Sequence, residues 1–128
     1  MSTEIVQKAV ADYFAATRAM DAQAWIETFA EDATSYDPAA PPATGHAALR
    51  QFFEAIAGAF KEVGLTEDKV FVVGREAAVK WTGRGVGHNG REVVFEGIDF
   101  FEVNEAGKIQ SVRAYWNPAT LMAQLTEL

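Results

Sequence analysis

The chain begins with helical periodicity and ends with alternation of period two. From residue 3 to 20, Ile5, Val6, Ala9, Val10, Tyr13 and Phe14 recur at three- and four-residue spacing, which predicts an amphipathic helix with one apolar stripe. Asp21 is placed to cap a second, short helix carrying Trp25, Ile26 and Phe29. Residues 33–37 read as an extended segment that ends at Pro38, because a residue before proline is pushed away from helical backbone angles. Residues 39–45, with Pro41 and Pro42, read as a loop long enough to form a rim. A third helix is predicted over residues 46–61, with Leu49, Phe52, Phe53, Ile56 and Phe60 on one face. Strands follow at 70–73, 77–86, 93–103 and 109–116. Asn89-Gly90 is a two-residue hairpin signal between the second and third of them, and a short helix over 119–125 closes the chain. Helices followed by a meander of antiparallel strands give an α+β class, one domain over residues 1–128. A sheet with helices on one face leaves a concave space between them, where ligands commonly bind.

One residue breaks this pattern. Counting by twos along the third strand gives Phe95, Gly97, Asp99, Phe101 and Val103, an apolar face with a single carboxyl in it. An ionised carboxylate among Phe and Val is costly unless paired, and no Lys or Arg stands two residues away on that face. Asp99 must therefore find a partner from another element, coordinate something, or stay protonated.

Composition narrows the function classes. In 128 residues, 49% are hydrophobic, enough for an ordinary folded core. The formal net charge of −7 argues against nucleic-acid binding and against docking on anionic lipid. There is no cysteine, so disulfides, thiolate nucleophiles and cysteine-held metals are excluded. The N-terminus has no signal-peptide pattern and no apolar run suits a membrane span, which sets the expectation of a cytoplasmic protein. His46 and His88 lie far apart, beside Gly45 and Asn89-Gly90, and read as loop residues rather than metal ligands. No phosphate-binding glycine loop is present, so neither metal nor nucleotide is expected.

Tyr13 on the apolar stripe of the first helix, Asp37 beside Pro38, and Asp99 suit one chemistry. Moving a C=C bond next to a ketone needs a base that takes a proton and returns it elsewhere. It also needs donors for the enolate oxygen formed meanwhile. A partly wetted carboxylate (Asp37) can be the base; a phenol (Tyr13) and a neutral carboxylic acid in apolar surroundings (Asp99) can be the donors. Each of the three also has a purely structural use, as core, turn former or satisfied buried acid, and spacing alone does not unite them.

The segments Phe29-Ala30-Glu31-Asp32-Ala33-Thr34-Ser35-Tyr36-Asp37-Pro38 and Gly97 to Trp116 resemble those of bacterial ketosteroid isomerases, within the wider nuclear-transport-factor-2-like and SnoaL-like superfamily. The resemblance implies a cone: a strongly curved mixed sheet wrapped around helices, with a deep apolar pocket, commonly dimeric through the sheet's outer face. Carried over, the base falls on Asp37, the phenol on Tyr13 and the protonated acid on Asp99; the resemblance implies one ionised and one neutral carboxyl at the same pH. Phe53, Phe95, Phe101, Trp116 and Val86 fall on pocket positions. The implied partner is a small apolar carbonyl compound, steroid-like or polyketide-like.

Two departures stand out. Phe29 and Phe53 occupy positions where the family often backs its phenol with further tyrosines. The same register also puts Thr82, Arg84 and Val86 into the pocket, whereas a one-residue slip among Gly83, Gly85 and Gly87 turns Arg84 outward and swaps Trp81's face. An inward Arg84 suits a polar substrate, or pairs with Asp99 and keeps it ionised. The alternatives are a SnoaL-like cyclase, an epoxide hydrolase with an Asp-Arg-Asp arrangement, and a non-catalytic module for apolar ligands or dimerisation.

Overall fold

The computed structural model describes residues 2–126. They form α1 (Thr3–Arg18), α2 (Ala22–Glu27), β1 (Phe29–Asp37), β2 (Ala40–Thr44), α3 (His46–Gly58), β3 (Phe60–Val73), β4 (Glu76–Gly87), β5 (Glu92–Val103), β6 (Ile109–Trp116) and α4 (Pro118–Thr126). The α+β expectation holds, with the strands in one unclosed sheet ordered β2-β1-β6-β5-β4-β3. The pair β1–β6 is parallel; the other neighbouring pairs are antiparallel. Register shifts at Ser35/Asp37, Phe60/Glu62, Glu67/Lys69 and Glu102/Val103 bend the strands that carry them, and the sheet curves.

α1 buries the predicted stripe: Val6, Ala9, Val10, Tyr13, Phe14, Ala16 and Thr17. Ser2 caps its start by accepting from the Ile5 N–H at 3.3 Å. Its end is a left-handed turn at Met20 (φ 51°), closed by the Met20 N–H on the Thr17 carbonyl and the Asp21 N–H on the Ala16 carbonyl. Asp21 then caps α2 by accepting from the Ala24 N–H at 3.0 Å. That tight corner brings Trp25 and Ile26 down beside Tyr13 and Phe29.

Several expectations are corrected. Phe29 is not carried by α2, which ends at Glu27; it is the first residue of β1. Residues 40–44 are a strand, not loop: β2 is the sheet's outer edge, paired with β1 on one side only, where Pro41 and Pro42 are tolerated beside a register shift. α3 stops at Gly58, and Phe60 begins β3 instead, stacked on Phe95 with ring centroids 6.0 Å apart. β3 runs 14 residues rather than over 70–73 alone; its two bulges reset the alternation and hide its first half from a period-two reading. The hairpin between β4 and β5 is not a two-residue turn on Asn89-Gly90. The Gly90 N–H bonds the Gly87 carbonyl and the Gly87 N–H bonds the Arg91 carbonyl, so residues 88–91 form the connection, with Gly90 at φ 81°.

That last difference decides a face. A two-residue turn would set Trp81 opposite Ile98; the observed connection sets it opposite Gly97. Every β4 side chain is thereby turned over relative to the first register expected.

His46 is not in a loop: it is the first residue of α3, and its Nε2 donates to the Phe29 carbonyl at 3.0 Å. His88 is in the turn, with Nε2 donating to the Gly58 carbonyl at 2.8 Å. Among the described residues no helix is long and apolar enough to cross a membrane.

Candidate active site

β5 presents the predicted face inward. Val93, Gly97, Asp99, Phe101 and Val103 are buried, while Val94, Glu96, Ile98, Phe100 and Glu102 are exposed. Gly97 allows Trp81 of β4 to lie across the strand: a Cβ there would meet the indole Cζ2 at 2.5 Å. Gly83 does the same for Phe95, whose ring atoms stand 2.5–2.8 Å from the position of a Cβ. The two inward glycines thus make room over the sheet for two large rings, which meet edge to face at 5.7 Å between centroids.

Between this face and the helices lies a cavity of about 90 Å³. Tyr13 and Thr17 come from α1, Trp25 from α2, Asp37 from β1, and Phe52, Phe53, Ile56 and Ala57 from α3. Val63, Gly64 and Leu65 of β3, Trp81, Phe95, Asp99, Ala114, Trp116, Met20 and Leu121 complete it. The wall is apolar save for Thr17, the indole nitrogens, one phenol and two carboxyls, and holds no Lys, Arg or His.

The structure brings Tyr13, Asp37, Asp99, Phe53, Phe95 and Trp116 to this one cavity. It does not bring Arg84, Val86 or Phe101. Arg84 is exposed and shares a separate shallow groove with Val86 and Glu62, a consequence of the turned-over β4 register. Phe101 is buried one layer behind, edge-on to Tyr13 at 5.0 Å between centroids.

The electrostatics follow from burial. Asp99 is 2% exposed and its Oδ1 has no hydrogen-bond partner. Loss of hydration raises its pKa to about 7, the charge of Asp37 pushes the same way, and the nearby Trp81 N–H opposes both. That indole N–H stands near Asp99 but makes no hydrogen bond of normal geometry. Tyr13 is likewise held well above the ordinary phenol value by burial and by the two carboxyls, with the Trp25 N–H nearby opposing. Asp37 is half-buried and raised by desolvation; the Ala39 N–H at 2.8 Å and the Trp116 Nε1–H at 3.1 and 3.3 Å offset this by stabilising its charge. The two carboxyls therefore differ: Asp37 is solvated by two N–H groups, Asp99 is dry.

Among the described residues no group of three His, Asp or Glu side chains is arranged to hold a metal ion. Sequence reasoning missed Trp25 and Trp81 as parts of the site. Trp25 is one of several apolar residues on α2, and nothing local sets it apart. For Trp81 a signal existed in Gly97, since an inward glycine in an apolar strand marks room for a ring from the neighbour.

This fold and this cavity define a class. The chain belongs to the SnoaL-like domain family, which matches residues 10–112. It is 33% identical over 123 residues to a steroid Delta-isomerase of Nocardioides simplex, covering 95% of this chain and 97% of that protein. It is 28% identical to the epoxide hydrolase/cyclase-like enzyme SalBIII of pyran ring formation in the polyether salinomycin, with a TM-score of 0.79 over 90% of this chain and 92% of that one. A protein of ketosteroid isomerase-like fold from Catenulispora acidiphila, at 18% identity, has a TM-score of 0.83 over 97% of this chain and 93% of that one.

Proposed function

We propose that the protein is a cofactor-independent isomerase of the ketosteroid type, acting on a small apolar ketone. The observation that carries this reading is the pairing, in one cation-free apolar cavity, of a dry acid beside a phenol with a second acid solvated by N–H groups. Ionised Asp37 takes a proton from the carbon between the ketone and the C=C bond, leaving a dienolate. Tyr13 and neutral Asp99 donate hydrogen bonds to its oxygen as negative charge collects there. Protonated Asp37 returns the proton at the far carbon of the diene, so the double bond ends in conjugation with the ketone and the enzyme regains its starting charge. Burial keeps Asp99 neutral below about pH 7, and a carboxylate there could accept hydrogen bonds but not donate one. The 33% identity to a steroid Delta-isomerase supports the same reading.

The test is turnover of a 5-ene-3-ketosteroid, followed by the ultraviolet absorbance of the conjugated enone, with wild type and Asp37→Asn. Turnover that survives the substitution undiminished would remove the mechanism.

A cyclase is the second reading, favoured by the likeness to SalBIII. The same base and donors would serve a ring closure through an enolate, and a polyketide-like substrate would be consumed where the ketosteroid is not. The Asp-Arg-Asp arrangement of a hydrolase has less support, since Arg84 is exposed away from the cavity.

We also propose a homodimer through the outer face of the sheet. Phe71, Ala78, Phe100 and Arg113 lie in one row across β3, β4, β5 and β6. Ile98 and Tyr115 lie in the next row, which continues into Lys80 and Lys69, and Phe71, Ile98, Phe100 and Tyr115 are 62%, 42%, 49% and 59% exposed. Exposed apolar side chains gathered on one face and rimmed by Lys69, Lys80 and Arg113 favour a partner.

A further inference from the structure

The chain has three tryptophans, and each stands beside one of the three groups assigned above: Trp116 on Asp37, Trp25 near Tyr13 and Trp81 near Asp99. The first pair is a made hydrogen bond; the other two indole N–H groups are buried and unpartnered. Among the described residues the buried side-chain N and O atoms without a partner are Trp25 Nε1, Trp81 Nε1 and Asp99 Oδ1, and all three residues line the cavity. Buried polar atoms left unpaired are rare, and three of them on one cavity wall call for a cause. Two of the three are complementary. Trp81 Nε1 is a donor, Asp99 Oδ1 an acceptor, and they sit on adjacent strands with both side chains inward. The indole is held where it is by Gly97 beneath it and by Phe95, edge-on at 5.7 Å between centroids.

We propose that Trp81 is a positioning residue for Asp99: the two unpartnered atoms pair through a small turn of the side chains, so that the Trp81 N–H donates to Oδ1 and the proton-bearing oxygen is turned toward the cavity. The inference rests on the isomerase reading for its consequence, but not for the bond itself. A neutral carboxylic acid has one acceptor oxygen and one O–H donor. In an apolar pocket an unpaired acid is free to carry the proton on either oxygen. An N–H committed to one oxygen removes that freedom, so the O–H is aimed before the dienolate forms. The titratable groups facing Asp99 are Tyr13 from α1 and Asp37 from β1; α2, α3, α4, β3, β4 and β6 bring none to the cavity wall.

The experiment is carbon-13 NMR titration of Asp99 in wild type and Trp81→Phe, with kcat and KM for the ketosteroid across pH. Removing a donor that favours the carboxylate should move the Asp99 titration up by about one pH unit. It should lower kcat about tenfold with KM nearly unchanged, and move the alkaline limb of the rate profile upward with the carboxyl. A titration at the wild-type pH in folded Trp81→Phe overturns the proposal. Should that variant not fold, the Trp81 indole N–H resonance in the wild type replaces it. The resonance is expected to shift as Asp99 titrates and to stay still in Asp99→Asn; no shift in the wild type overturns the proposal. If the indole follows Asp99 while ketosteroid is not turned over, the bond stands and the isomerase reading alone falls.

Discussion

Replacing Asp99 by Asn should change how stability depends on pH. In the folded protein the Asp99 carboxyl titrates at about 7, against 3.8 for the unperturbed group. Below about pH 4 the acid is neutral in both folded and unfolded chains, and its burial carries no charge cost. Between these values the unfolded chain releases the proton and the folded one keeps it, so the folded state loses stability as pH rises. Above about pH 7 both forms are ionised and the loss levels off. A gap of about three pH units, at about 1.4 kcal/mol each, makes the full loss ~4 kcal/mol. Asn has no such term. Urea unfolding of wild type and Asp99→Asn from pH 5 to pH 8 should show the wild type losing about 3 kcal/mol relative to the variant, most of it before pH 7. The other carboxyls contribute similarly to both proteins and largely cancel in the difference. A difference that stays constant across this range would refute the reasoning, because it would mean that position 99 does not bury a carboxyl more easily protonated than in water.

On the proposed mechanism the same titration bears on function: isomerisation should fall as pH rises through about 7, when Asp99 would cease to be a donor, as a pH–kcat profile would reveal. Asp37→Asn should lower kcat by about 10² to 10⁴ without unfolding the protein, checked by steady-state rates alongside circular dichroism. On the proposed mechanism Tyr13→Phe would remove one donor to the enolate oxygen and should cost about 10² to 10³ in kcat, with weakened binding of a phenolate ligand measured by its absorbance shift. Gly97→Ala would push a methyl against Trp81 Cζ2 at 2.5 Å, the Tyr115 carbonyl at 2.6 Å and Trp116 Cβ at 2.8 Å. It should destabilise the fold by about 1–3 kcal/mol in chemical denaturation, and displace the two indoles that serve Asp99 and Asp37.

Helical periodicity determined α1, α2 and most of α3, because a stripe of apolar residues every three or four positions has one low-energy arrangement against a core. The stop at Asn117-Pro118 marked the end of β6, and alternation determined the inward face of β5, and so put Asp99 in the interior before any tertiary contact was known. The resemblance around Asp37 and Asp99 carried the family. The sequence did not determine β2 or the first half of β3. An edge strand accepts the prolines that usually mark a loop, and bulges erase the period-two signal.

Nor could it decide which face of β4 is wet. One residue in the connection after Gly87 separates Arg84 in the cavity from Arg84 outside it, and Asn89-Gly90 is compatible with both. That choice is made by the whole sheet. With Trp81 inward, its indole fills the space over Gly97, and no guanidinium reaches Asp99. The protonation of the buried acid is thus a property of tertiary structure, because it depends on which neighbours the fold withholds from it as much as on those it supplies.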